Sequence, residues 1–111
     1  MPWLEAFLLT LAIELPLALI CLRARPRGRV AAAAVLANGA SHPLFCFILL
    51  RVLPGSFLAR VLVGEALVIG LEALVYLAAL RPMRAAHALS VSATLNAASY
   101  LVGIAFLNAP A

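Results

Sequence analysis

An all-α integral membrane bundle of four transmembrane helices is what this chain predicts, and three observations carry the prediction. Four apolar runs, Trp3 to Leu22, Val30 to Leu50, Val61 to Leu80 and Ala88 to Leu107, are each long enough to cross a bilayer. At about 1.5 Å per helical residue each run reaches about 30 Å, the hydrocarbon thickness. Hydrophobic residues make up 67% of the 111 and charged residues only 11%, which is more apolar surface than a small soluble fold can hide. No run carries the wet, charged face that each helix of a soluble four-helix bundle needs. Residues 1–111 are therefore expected to form a single transmembrane domain.

The first run competes with a cleaved signal peptide. No basic residue precedes it, Glu5 stands at its start and no A-x-A site follows, so it reads as helix one. Thr10, Glu14 and Pro16 lie within it, and Pro26-Arg27-Gly28 breaks the chain after it. The second run places Asn38 and His42 four apart, with Pro43 next. That proline removes a backbone donor, frees the Gly39 carbonyl and predicts a bend beside the histidine. Pro54-Gly55 is a turn signal. The connection from Val52 to Ala59 is mostly apolar and is expected to rest at the membrane interface between Arg51 and Arg60. On the third run Glu65 and Glu72 are seven apart and so share a face, with Tyr76 one turn further. Pro82 ends that run. The fourth aligns Ser92, Asn96, Ser99 and Gly103.

All basic side chains other than histidine are arginine. Arg23, Arg25, Arg27 and Arg29 fill the first connection, Arg81 and Arg84 the third, and only Arg51 and Arg60 flank the second. Positive charge is retained on the cytoplasmic side, so both termini are expected to face out. These arginines read first as topology determinants and second as contacts for anionic lipid or a partner. Nucleic acid is not an expected partner, because no aromatic interleaving or soluble fold accompanies the charge. Arginine as the sole long basic residue, with abundant Ala and Leu, points to a GC-rich bacterial gene and hence a multi-pass protein of the bacterial inner membrane.

The candidate site is a polar layer in the middle of the runs: Glu14, Asn38, Ser41, His42, Glu72, Asn96 and Ser99. Ionisable groups at that depth are rare and costly, about 2.5 to 3.5 kcal/mol each on the most lenient insertion scale. Glu14 and Glu72 therefore require a proton, a cationic partner such as His42, or water. Asn38, Asn96 and the serines are adequately explained as interhelical hydrogen bonds, with Gly39, Ser99 and Gly103 permitting close backbone approach. Glu5 and Glu65 lie nearer the outer surface, where Arg51 and Arg60 are expected to pair with them.

Catalytic chemistry finds little support. Di-iron carboxylate bundles need Glu-x-x-His on two helices, zinc sites usually need several His or Cys ligands, and two axial histidines for haem are not at one depth, since His87 starts the fourth helix. The paired-glutamate E-E-x-x-x-R motif of intramembrane prenyl-protein-type proteases is missing. Cys21 and Cys46 fall roughly 20 Å apart in depth, beyond disulfide reach, and read as small buried hydrophobes. No catalytic residue, cofactor or metal is expected.

With this length, four helices and Glu14 in the middle of the first, the chain resembles in format the small multidrug resistance exporters. In that family such a glutamate exchanges protons for a cationic drug. The likeness stops at helix count, length and one glutamate: the aromatic-rich half-site and the Gly-rich third-helix motif are not found, and the six-to-two arginine imbalance differs from the family's balanced loops. Through Asn38, His42, Pro43, Glu65, Glu72, Asn96 and Ser99 the chain also resembles small bacterial four-helix membrane proteins of the same layout, a likeness that implies no activity. Two functions follow. One is a non-catalytic accessory or assembly subunit of a membrane complex or homo-oligomer, expected if the polar stripe opens to one side of the bundle. The alternative is a proton-coupled small carrier or channel using Glu14 and Glu72, expected if the polar groups pair among themselves.

Overall fold

The computed structural model describes residues 3–107; residues 1–2 and 108–111 of the expected domain lie outside the described residues. The chain forms α1 (Trp3–Cys21), α2 (Arg27–Val52), α3 (Phe57–Ala79) and α4 (Ala85–Leu107). No strand occurs among the described residues. Within α2, regular α-helix over Arg27–Leu44 passes into a π-helical segment, Phe45–Leu49, and closes with the α turn Leu50–Val52.

Three helices start earlier than the apolar runs. They begin at Arg27, Phe57 and Ala85 rather than at Val30, Val61 and Ala88. A first helical turn needs a proper entry and not an apolar side chain. Pro26 supplies fixed, extended backbone ahead of Arg27. Ser56 caps α3, its hydroxyl oxygen accepting from the Ala59 N–H at 3.1 Å. The second connection consequently shrinks to residues 53–56, and Gly55, at φ +100°, occupies the left-handed region that favours glycine.

The helices form a square ring in which α1 and α3 each pack chiefly on α2 and α4. Short connections make neighbours antiparallel, so one end of the bundle carries the α1–α2 and α3–α4 connections and the other carries the α2–α3 connection. At the first end lies the apolar core. Ala18, Ala33, Ala34 and Ala37 are fully buried against Tyr76, Leu80 and Leu95. Small side chains on α1 and α2 give the larger ones on α3 and α4 room to interdigitate, which is how an interior reaches native density.

Two arginines lock this end. Arg25 donates through Nη1 to the Leu80 carbonyl and through Nη2 to that of Pro82 at 2.5 Å, while Arg29 Nη2 donates to the Ala79 carbonyl at 2.7 Å. The last carbonyls of α3 have no donor within their own helix, and guanidinium groups supply one. The outer surface is apolar on every helix, with Leu4, Leu8, Ile20, Leu36, Leu62, Leu74 and Leu101 all more than half exposed. Polar groups inside and leucine outside invert the pattern of a water-soluble bundle. The four helices, 19 to 26 residues long, are apolar enough to cross a membrane, which points to a multi-pass membrane protein.

Candidate functional site

A cavity of about 250 Å³ lies between the packed core and the end bearing the α2–α3 connection. Each helix contributes polar side chains to its wall: Thr10 and Glu14 from α1, Asn38, Ser41 and His42 from α2, Glu65 and Glu72 from α3, Asn96 and Ser99 from α4. Phe45, Val68, Tyr100 and Ile104 supply apolar wall between them. The sequence spacing explains the convergence. Glu65 and Glu72 share one face of α3, as do Asn96, Ser99 and Gly103 of α4, and burying those faces leaves the leucines outside.

Glu72 is fully buried and held at both oxygens. The Ser41 hydroxyl donates to Oε2, and Asn96 Nδ2 donates to Oε1 at 2.9 Å. Asn96 spends its second amide proton on the Ser92 carbonyl at 2.8 Å, and Ser92 in turn donates to the Ile69 carbonyl at 2.8 Å. This network ties α2, α3 and α4 together around one carboxylate. Bonds of this kind between membrane helices are worth about 0.6 to 2 kcal/mol each.

Glu14 is also fully buried but only half satisfied. Ser99 donates to its Oε2 at 2.7 Å, while its Oε1 has no hydrogen-bond partner among the described residues. The single proton of the Ser99 hydroxyl also lies within reach of the Asn96 carbonyl, at 3.2 Å. One proton cannot serve both acceptors fully. The Ser99 hydroxyl thus has one acceptor on α1 and a second on its own helix.

Several residues sit differently from their expected places. His42 partners neither glutamate: its ring lies against Phe7 and Trp3, with centroids at 5.5 and 5.9 Å, and its Nδ1 is 3.8 Å from Cys46 Sγ. Packing between aromatic rings fixes it there, so serine and asparagine, not a cation, serve the buried carboxylates. Asn38 bonds back to the Ala34 carbonyl of its own helix at 2.9 Å. Arg60 does not pair with Glu65. Its Nη1 donates to the Leu50 carbonyl at 2.9 Å, an unpaired acceptor at the end of α2, while Glu65 turns into the cavity. Glu5 and Arg51 are exposed.

The expected glycine contacts also move. An added Cβ at Gly39 or Gly103 meets nothing within 4 Å, whereas at Gly64 it falls 2.7 Å from Phe45 Cε2. Close approach therefore belongs to Gly64, against an aromatic ring rather than a backbone. Cys21 and Cys46 are both free, and Cys21 is exposed rather than buried. Tyr100 joins the cavity without having been singled out in the sequence; its position four after Asn96 was the available signal.

Arg25 and Arg29 cap α3, while Arg23, Arg27, Arg81 and Arg84 remain exposed at the same end. The chain matches no protein family, no curated protein and no solved structure. The site must be read from its own chemistry: an amphipathic cavity, sealed at the arginine-bearing end, with three carboxyl groups on its wall.

Proposed function

We propose that this protein is a multi-pass membrane carrier that exchanges protons for a small organic cation bound beside Glu14, Glu65 and Glu72. One observation carries the reading: the carboxyl groups of three helix turns converge on one cavity, and the most buried of them keeps Oε1 unpartnered. A buried acceptor without a donor is costly, and a cationic N–H group entering the cavity would remove that cost. The wall favours an organic cation over a metal ion. Among the described residues no three His, Cys, Asp or Glu side chains are grouped as ligands, while Phe45 and Tyr100 offer aromatic faces of the kind that attract cations.

The two acceptors within reach of the Ser99 hydroxyl support proton coupling, since an ionised Glu14 accepts from it whereas a protonated Glu14 can donate to it and leave it free for the Asn96 carbonyl. The apolar outer surface supports embedding in lipid. Six arginines at the sealed end against two at the other support termini facing out and a cavity opening outward. An alkaline-phosphatase fusion after Ala111 is then active in a bacterial host, and a green-fluorescent fusion there is dark; the reverse pattern overturns the orientation. A subunit of a larger complex was expected to turn its polar stripe outward, whereas Glu72, Asn96 and Glu14 are satisfied, or left open, inside the ring.

The test is transport by the purified protein in liposomes under an imposed pH gradient, with benzylguanidinium, an organic cation that stays charged and carries N–H donors, as the probe. Uptake that follows the gradient and disappears in Glu14→Gln, which keeps the side-chain shape and loses the exchangeable proton, supports the carrier. Silent liposomes, together with a stoichiometric protein recovered in gentle detergent, refute it and establish the subunit reading.

A further inference from the structure

Next to the cavity, on the outer face of the seam between α3 and α4, lies a groove of about 150 Å³. Its walls are Val61, Leu62 and Ile69 of α3 and the short side chains of Ala93 and Ala97 of α4. Three residues belong to both spaces: Glu65, Asn96 and Tyr100 line the groove and the cavity alike. Asn96 is almost wholly buried, yet it borders a recess that faces outward.

The seam is built unevenly. At its inner limit Ser92 bonds across it to the Ile69 carbonyl at 2.8 Å. One turn further Asn96 bonds across it to Glu72 Oε1 at 2.9 Å. On the outward side of these two bonds α4 presents the methyl groups of Ala93 and Ala97, both exposed, and then the ring of Tyr100, which is 41% exposed. The rim is apolar, with Leu62 and Leu101 exposed at 60% and 65%. Between cavity and exterior, past the held Asn96, stand a tyrosine ring and a glutamate side chain, neither fixed by a hydrogen bond across the seam among the described residues.

From the shared lining we infer that the α3–α4 seam is a lateral portal through which an amphipathic cation passes from the lipid into the cavity, with Tyr100 as its gate and Glu65 as the first acidic group met. The inference rests on reading the cavity as a cation site. An apolar rim admits the body of such a molecule, Glu65 receives its charged end, and Glu14 lies deeper with its free oxygen. A small, strongly hydrated cation gains nothing from this route, because it would have to shed its water in lipid. Tyr100 is exposed, and rotamer flips of an exposed side chain are fast on the scale of carrier turnover.

The test reads access rather than transport, so its failure is separable from failure of the carrier. In a chain with Cys21 and Cys46 replaced by alanine, Val68→Cys places a thiol at a cavity-lining position that is 5% exposed. Protein in liposomes is treated either with a long-chain N-alkylmaleimide dissolved in the bilayer or with a sulfonated maleimide confined to water. The bilayer-borne reagent is expected to label Val68→Cys, about tenfold more slowly when Ala97→Leu fills the seam and about threefold faster when Tyr100→Ala opens it. Size-exclusion profiles confirm that each variant is folded. Should Ala97→Leu fail to fold, the acceleration by Tyr100→Ala still decides the matter. Unchanged labelling in the folded variants, as when the groove merely seats a lipid tail, overturns the portal. Labelling by the water-borne reagent alone does so as well.

Discussion

The two ends of this bundle are built from the same four helices and nearly the same residue alphabet, yet one is solid and the other hollow. At the arginine-bearing end, fully buried alanines of α1 and α2 pack in one apolar cluster with Tyr76, Leu80 and Leu95. At the opposite end Ser41 and Asn96 hold both oxygens of Glu72 along the wall, and Ser99 holds one oxygen of Glu14. Pro43 and the π-helical Phe45–Leu49 make the wall of α2 irregular there. Polar side chains tied to specific partners cannot interdigitate freely as apolar ones do, and so they hold a cavity open. Rigidity and vacancy are thus divided between the ends: one fixes the helix positions, and the other uses them.

Truncation should break the comparison most visibly. Leu95→Ala, in the solid end, is expected to cost about 2 to 5 kcal/mol of unfolding free energy, whereas Ile104→Ala, which already borders empty space, should cost less than about 1 kcal/mol. Denaturant titrations in detergent micelles measure both, and equal losses would mean that the cavity end is packed as tightly as the other. Arg25→Ala is next, at about 2 kcal/mol, the range for charge-assisted hydrogen bonds, while the exposed Arg23→Ala stays within about 0.5 kcal/mol. If the two arginines behave alike, the solid end owes nothing to the caps on α3.

Asn96→Ala is expected to cost about 0.6 to 2 kcal/mol. Its effect should be non-additive with Ser41→Ala, because both side chains hold one carboxylate. A double-mutant cycle showing simple additivity would deny that Glu72 links α2 to α4. Gly64→Ala should cost about 1 kcal/mol and push the Phe45 ring into the cavity, reducing probe binding more than stability. Gly70→Ala meets nothing within 4 Å and gains up to about 1 kcal/mol from helix propensity. The smallest effect is expected from Tyr76→Phe. The Tyr76 hydroxyl is buried without a partner, so its removal should be neutral or slightly stabilising, and a clear loss in thermal unfolding would point to a bond the hydroxyl makes after all.

The four helices long and apolar enough to cross a membrane were legible because their length and uniform apolarity are written in composition alone. The inward turn of Glu72, Asn96 and Ser99 was legible too, through helical periodicity. Partner choice was not. Glu65 looked like a mate for Arg60 because the two are close along the chain, but Arg60 found a carbonyl left free at the end of α2, a group invisible to a reading of side chains. The caps from Arg25 and Arg29 escaped notice for the same reason. His42 was one of three ways of serving the carboxylates, beside a proton and water, and aromatic packing from α1 holds its ring elsewhere. Close approach at Gly64 depended on the rotamer of a residue on another helix, which spacing within one helix cannot supply.

The π-helical turn in α2 also bears on how this chain tolerates changes in length. A π turn accommodates more residues than an α turn over the same path, so Phe45–Leu49 acts as slack in an otherwise taut ladder. Deleting one residue there would let α geometry run on unbroken. Because the residue removed is the extra one of the π turn, Leu50–Val52 would keep their direction along with everything up to Pro43. The Leu50 carbonyl would stay with Arg60, and the connection over 53–56 would keep its anchor. A deletion of a single residue at this point should therefore be tolerated both by the helix and by the loop that follows it.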